Sequence, residues 1–292
     1  MKPAYKSYIK EKKIIISLLL LSVTIASAQS KDEAIVEQYF NSLRWSEEKT
    51  PNELIVQAAL SFLDTPYIAN TLEVNEEEQL IVNLSELDCM TFVENCIALS
   101  RAVQHPAPDY EHFVRELKKI RYRDGIINGY TSRLHYTTDW INNNIEKNTI
   151  EDITYALGGK KFKPNVSYMS TNPNLYPALR KNRQDVETMV EIEKRINQRS
   201  NYFFIPRSEI SKKATLIKSG DIICFTTQLP GLDISHIGIA YWNKKQLSFI
   251  HASTKAKKVI INPESIADYC QLNKNNTGII ILKTLKQVTS NE

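Results

Sequence analysis

The stretch GDIICFTTQLPGLDISHIGIAYWNKKQLSFIHAS, residues 220–253, decides the fold. Its apolar side chains recur with a period of two and β-branched residues dominate, so Ile222 to Thr226, His236 to Tyr241 and Leu247 to His251 read as strands. Short polar turns separate them, which predicts antiparallel neighbours rather than helix-linked parallel ones. Lys258 to Ile261 and Gly278 to Leu282 bring the expected strands to five. An antiparallel sheet or half-open barrel is therefore predicted for about residues 216–292.

Upstream the period changes to that of a helix. Glu33 to Leu43 places Ile35, Val36, Tyr39, Phe40 and Leu43 on one stripe. After Thr50-Pro51, Glu53 to Leu63 does the same with Leu54, Ile55, Ala58, Ala59 and Phe62, with a proline in the first turn. Gln79 to Leu84 is a short apolar stretch. Leu87 to Val103 reads as a third helix capped by Asp88, and His112 to Ile120 as a fourth. Periodicity weakens over about residues 124–215, where aromatics mix with Asn, Ser and Arg. Met189 to Ile196 reads as one helix within it, and the region reads as insertions decorating a core. The expected class is α+β, with a helical part over about 31–123 and a β part at the C-terminal end.

The first 28 residues read as a signal peptide: five lysines between Lys2 and Lys13, an apolar run from Ile14 to Ile25, then Ala26-Ser27-Ala28. The apolar run is too short for a membrane span, which needs roughly 20 residues. Cleavage near Ala28 would release one catalytic domain, residues 29–292, to the periplasm or the medium, and a monomer is expected. The formal charge of +4 belongs to the leader, because without its five lysines and Glu11 the chain has 32 basic and 32 acidic side chains. That balance excludes an electrostatic footprint for nucleic acid. Cys89, Cys96, Cys224 and Cys270 follow neither a disulfide-scaffold spacing nor a CxxC zinc pattern. Whether any of them pair is left open.

Three places in the sequence carry chemistry. Cys89 falls in the first turn of the third helix, where unpaired N–H groups and the helix dipole favour thiolate over thiol. His236 opens a strand from which its ring can project into a cleft, and Gly238 leaves that face uncrowded. A neutral imidazole near pH 7 is a natural base for a thiol. His251 ends the next strand, close enough for its ring to meet that of His236 and fix its tautomer. Cys96, seven residues after Cys89, reads as core. A metal hydrolase built on His236, His251 and Cys89 lacks a fourth ligand at sensible spacing, so no metal and no cofactor is expected.

This order resembles the NlpC-type branch of papain-like cysteine peptidases, enzymes of bacterial cell-wall turnover. The resembling motifs are Pro66-Tyr67, Asp88-Cys89, Gly220-Asp221-Ile222, Ser235-His236-Ile237-Gly238-Ile239 and Phe249-Ile250-His251-Ala252-Ser253. More narrowly, Leu84 to Glu94, Ser132-Arg133-Leu134-His135-Tyr136 and Gly231 to His236 resemble the N-acetylmuramoyl-L-alanine amidase subfamily. Departures from the wider pattern are Met90-Thr91 after the cysteine, Ile68-Ala69-Asn70 after the Pro-Tyr, and the separation of 147 positions from Cys89 to His236.

The resemblance implies a papain-like fold in which Cys89 is nucleophile, His236 base and then acid, and His251 the orienting third member. Tyr67 would bind the oxyanion together with the Cys89 N–H. Ser132, Arg133, Asp233 and Ser235 would contact substrate, Arg133 gripping a carboxylate through its planar fork. Peptidoglycan muropeptides are the implied substrate and the muramoyl–L-alanine amide the implied bond. Cleavage at the γ-D-glutamyl bond deeper in the stem peptide, and an inert muropeptide-binding module, are the alternatives.

Overall fold

A computed structural model of the chain describes residues 31–43 and 49–287, so the expected signal peptide lies outside the described residues. Five helices come first: α1 (residues 31–43), α2 (Pro51–Ser61), α3 (Cys89–Ala102), α4 (Tyr110–Arg121) and α5 (Thr137–Glu146). Strands β1 (Ile150–Asp152) and β2 (Lys160–Phe162) follow, then helices α6 (Tyr168–Thr171), α7 (Pro177–Lys181) and α8 (Arg183–Gln198). After β3 (Tyr202–Pro206) and α9 (Ile210–Lys213) come β4 (Ile222–Thr227), β5 (Ile234–Asn243), β6 (Gln246–Ser253) and β7 (Lys258–Ile261). Helix α10 (Ile266–Leu272) and strand β8 (Asn276–Thr284) close the described chain. The five expected strands are β4 to β8, each within a few residues of its predicted bounds. Gln79 to Leu84 forms no regular element.

Every ladder is antiparallel, and the order is β2-β3-β8-β4-β5-β6-β7 with β1 also on β8. The fold is α+β: helices packed on a largely antiparallel sheet. The period of two assigns the faces. Ile222, Cys224, Ile237, Ile239, Ile250 and Ala252 turn toward Ile55, Ala58, Phe92, Val93 and Ile97 of the helices. Ile223, Phe225, Leu247 and Phe249 turn the other way, toward Ile210, Ile266 and Cys270. Burying each such side chain is worth about 1.5–3 kcal/mol, and both faces are covered.

The region 124–215 is more than decoration. It contributes β1, β2 and β3 to the sheet and builds a core of its own from Tyr130, Tyr136, Val166, Met169, Met189 and Ile192. Its helix α8 also starts earlier than Met189, because the Asn182 side chain accepts the Gln184 and Asp185 N–H groups and caps it there.

Two buried ion pairs lock α3 to its surroundings. Arg101 meets Glu116 at 2.6 Å and Arg121 meets Glu94 at 2.7 Å. Removing one partner of such a pair leaves an uncompensated buried charge, so the register of α3 against α4 is fixed. At the other end Gly220 has φ +92°, and a Cβ there would lie 2.4 Å from the Asn52 carbonyl oxygen. Only glycine fits this close approach, which seats the start of α2 against the turn entering β4.

Candidate active site

Helix α3 begins at Cys89 because the chain before it is held on both sides. The Leu87 N–H donates to the Pro66 carbonyl at 3.0 Å, and the Ile68 N–H to the Leu87 carbonyl at 3.2 Å. Asp88 then accepts the Thr91 N–H at 2.7 Å, while its own N–H donates to the Thr91 hydroxyl at 2.9 Å. This reciprocal cap makes Cys89 the first helical residue. Cys89 is half-buried, whereas Cys96, Cys224 and Cys270 are fully buried, and all four are free thiols. No disulfide joins them.

The same 65–68 loop carries Tyr67. Its N–H donates to the Lys257 carbonyl at 2.9 Å, and its hydroxyl reaches the Thr254 side chain. Burial raises the Tyr67 hydroxyl, the Thr254 side chain opposes it, and the nearby Cys89 sulfur and Asp88 carboxylate add to the rise.

His236 lies at a bulge in β5: Phe225 pairs with His236, then Thr226 pairs with Ile234. Bulges re-aim side chains. The ring stands 6.3 Å from Phe225, 6.2 Å from Phe249 and 5.9 Å from Tyr269, on the sheet face away from α3. His236 Nε2 and His251 Nδ1 are 2.6 Å apart, a hydrogen bond that carries one proton. The thiol approaches from the other side, where the Ile237 N–H reaches the Cys89 sulfur. Among the described residues no hydrogen bond joins Cys89 to His236, and His236 Nδ1 has none.

Burial dominates the electrostatics. It pushes the Cys89 thiol up to about 12, with the Asp88 carboxylate adding to the rise, while the N–H groups of Ile237, Cys89 and Met90 pull it down. The thiolate preference expected from the helix start is thus present but outweighed, because desolvating a charge is a larger effect than the dipole at the first turn. His236 is pushed down to about 3 by burial and then by His251; His251 is pushed down to about 4 by burial, with Asn262 opposing. The resting site holds a neutral thiol and two neutral imidazoles. Such a set can move a proton from sulfur to nitrogen when substrate arrives, and catalytic contacts commonly tighten at that stage.

The residues expected to touch substrate are engaged inside the protein. Ser132 donates to the Gly129 carbonyl at 2.7 Å and accepts the Asn128 N–H at 3.0 Å. Asp233 accepts the Thr138 N–H and hydroxyl at 2.7 and 2.8 Å, pinning the start of α5 to β5. Ser235 donates to Asn276 Oδ1 at 2.7 Å. Arg133 is buried between Glu73, at 2.7 Å, and Glu78, at 3.2 Å. Its fork therefore holds two carboxylates of this chain, at the position expected to grip a substrate carboxylate. Buried polar groups must be paired, and here the partners are local.

Two further residues belong to the site. Asn262 lies beside His251 and donates from Nδ2 to the Glu264 carbonyl and to Glu264 Oε2, both at 3.0 Å. Tyr269 stands 5.9 Å from both imidazoles. An asparagine directly after the apolar run Val259-Ile260-Ile261 was the available signal for the first. Tyr269 sits in a helix too short to show a period. Among the described residues, no group of three His, Cys, Asp or Glu side chains could hold a metal ion, and no helix is long and apolar enough to cross a membrane.

The family described as AmiA-like, N-acetylmuramoyl-L-alanine amidase-like, matches residues 57–279. That span includes the whole region 124–215. A crystal structure of an N-acetylmuramoyl-L-alanine amidase from Bacteroides uniformis is similar at 36% identity and TM-score 0.77, covering 81% of this chain and 99% of that one. A Bacteroides fragilis protein provisionally named a xylanase is similar at 42% identity and TM-score 0.75, over 78% of this chain and all of that one. A Legionella pneumophila protein of the DUF1460 family shares the fold at 23% identity and TM-score 0.68, over 90% and 98% of the two chains. No curated protein matches.

Proposed function

The chain belongs to the N-acetylmuramoyl-L-alanine amidase-like family, and on that premise we propose that it is an exported, NlpC-type cysteine amidase of peptidoglycan fragments. The observation that carries the reading is the 2.6 Å bond between His236 and His251, set where the Ile237 N–H meets the Cys89 sulfur. The family supplies amidase chemistry; the residues supply the mechanism.

In this reading His236 donates its Nε2–H to His251 Nδ1, which leaves the Nδ1 lone pair for the thiol proton. His251 then carries its own proton on Nε2, a buried nitrogen without a hydrogen-bond partner. Asn262, with its Nδ2 committed to Glu264, has Oδ1 left to face that proton. The chain of contacts fixes both tautomers and spreads the charge that forms on His236. Cys89 attacks the lactyl carbonyl of the muramic acid while His236 takes its proton. Tyr67 and the Cys89 N–H stabilise the oxyanion. The C–N bond then breaks, His236 returns the proton to the amine of L-alanine, and water hydrolyses the thioester.

The narrow amidase subfamily that the chain resembles acts on short muropeptides, particularly those with an anhydro sugar terminus, and we extend that preference to this chain. Export follows from the leader read in residues 1–28. The test is a digest of an anhydro disaccharide-tetrapeptide and, separately, of purified sacculi, read by mass spectrometry. Free disaccharide and an L-alanine-led peptide from the first, with little release from the second, is the expected result. A product beginning at the third stem residue would mark an endopeptidase instead. Turnover that survives alkylation of Cys89 would remove the cysteine mechanism.

A further inference from the structure

A cavity of about 710 Å³ opens on the imidazole side of the site, walled by His236, His251 and Tyr269. Cys89 is not among the residues that line it. In acyl transfer the acyl group stays on sulfur, while the amine departs beside the acid that protonates it. A cavity on the histidine side is therefore the place of the leaving amine and what is attached to it. Two exposed lysines, Lys255 from the β6–β7 turn and Lys274 from the loop before β8, line its rim. Neither is in an ion pair among the described residues. The only carboxylate in the wall is Glu264, which accepts from Asn262. Another cavity, about 570 Å³, is lined by Glu73, Glu76, Glu77, Glu78 and Asp185, with Lys181 as the one cation in its wall. An anionic peptide is repelled there and attracted here.

We infer that the histidine-side cavity binds the leaving peptide and that Lys255 and Lys274 select one carrying a free carboxylate close to its N-terminal residue. The inference rests on the amidase reading and names the leaving-group specificity of that site. In the reaction the amide C–N bond breaks as the C–S bond forms, and the thiol proton passes through His236 to the departing nitrogen. The peptide then lies in the cavity as a free amine with its carboxylate at the lysines. At exposed positions the attraction is modest, which suits product release.

The experiment compares N-acetylmuramoyl-L-alanyl-D-glutamate with its α,γ-diamide, in which both glutamate carboxylates are capped, using the full chain and a Lys255→Gln/Lys274→Gln variant. Two partly exposed ion pairs predict about a tenfold preference in kcat/KM for the free acid. That preference should shrink with added salt as the charges are screened, and collapse to near unity in the variant. Both lysines are exposed, so the variant keeps its core. Equal turnover of acid and amide by the native chain, or an unchanged preference in the variant, overturns the inference and leaves the amidase reading standing. Cleavage of both compounds at a bond other than the muramoyl–alanine amide overturns the amidase reading and the inference with it.

Discussion

Gly238 packs directly against His251: a Cβ at Gly238 would lie 3.1 Å from His251 Cβ, 2.7 Å from the Phe249 ring and 2.8 Å from the Ile250 carbonyl oxygen. The missing side chain is what lets β6 come close enough for the two imidazoles to bond. Gly238→Ala should push β6 outward, costing about 1–3 kcal/mol as overpacking does. Because the shift falls on His251, kcat should drop by more than the lost stability explains, with KM little changed. Thermal melts and steady-state kinetics on the same preparation check this. An active Gly238→Ala enzyme would mean that the His236–His251 bond is dispensable.

The three reacting side chains should separate by size of effect. Cys89→Ser should fold and lose turnover, because a helix-start residue contributes little core. His236→Ala should lower kcat by about 10³ or more, since the base serves both half-reactions. His251→Asn should retain more activity than His251→Ala, because an amide can still accept the His236 Nε2–H. If His251→Ala were the more damaging of the two alanine variants, the two rings would have exchanged roles.

Alkylation reads the thiol directly. Cys89 is the half-buried cysteine, whereas Cys96, Cys224 and Cys270 are fully buried and out of a reagent's reach; burial pushes the Cys96 and Cys224 thiols well up and that of Cys270 up to about 11. Iodoacetamide should modify Cys89 first. Its rate should climb steadily from pH 7 to 10, because burial has pushed the thiol up to about 12 and little thiolate exists at neutrality. A plateau below pH 8 would show a preformed thiolate–imidazolium pair.

Much of this was readable in the chain and some was not, for reasons that differ by residue. Strands β4 to β8 announce themselves because alternation is a local property. Ile150–Asp152 and Lys160–Phe162 do not: each is three residues long and partly charged, and β1 is defined by a pairing of Ile150 with Thr284 that no local pattern reveals. The places of Cys89 at a helix start and of His236 in a strand were legible from local pattern. The state of the Cys89 thiol was not, because the helix-start effect is local while the burial that outweighs it comes from the whole fold. The internal partners of Arg133 were hidden for the same reason: its sequence neighbours give no sign of Glu73 and Glu78, more than fifty residues upstream.

Acid should destabilise the protein in a defined window. His135, His236 and His251 are all held neutral by burial, at about 3, about 3 and about 4. The unfolded chain protonates these rings near 6.5, so below that pH it binds protons the native state refuses. Stability is therefore full above pH 6.5 and falls as pH drops, by up to about 1.4 kcal/mol per ring for each pH unit. The buried carboxylates of Glu78, Glu94, Asp152, Asp221 and Asp233 are raised by burial and act oppositely nearer their own range. Melting temperatures of the Cys89→Ala protein should decline as pH falls below 6.5, and His135→Gln should flatten the decline. A constant melting temperature would mean that the rings are not held neutral.

Arg133 offers a test between an internal anchor and a substrate clamp. Its guanidinium is almost enclosed, meets Glu73 and Glu78, and stands 5.0 Å over the Tyr130 ring. Both carboxylates belong to the 72–79 loop that walls the acidic cavity. Removing the cation would leave the buried Glu78 carboxylate with the Tyr122 hydroxyl at 2.8 Å but without its guanidinium, and deleting one partner of a buried pair costs about 3–5 kcal/mol. An anchor therefore predicts that Arg133→Ala lowers the melting temperature strongly. Arg133→Lys should recover only part of it, because a point charge cannot span two carboxylates. Adding Glu78→Gln to Arg133→Ala should restore stability by removing the stranded charge, which a substrate contact would not do. A clamp predicts the opposite pattern, with an unchanged melt and a raised KM. Calorimetry on the three variants beside kinetics on a single muropeptide distinguishes them, and a normal melt for Arg133→Ala would return the residue to the substrate.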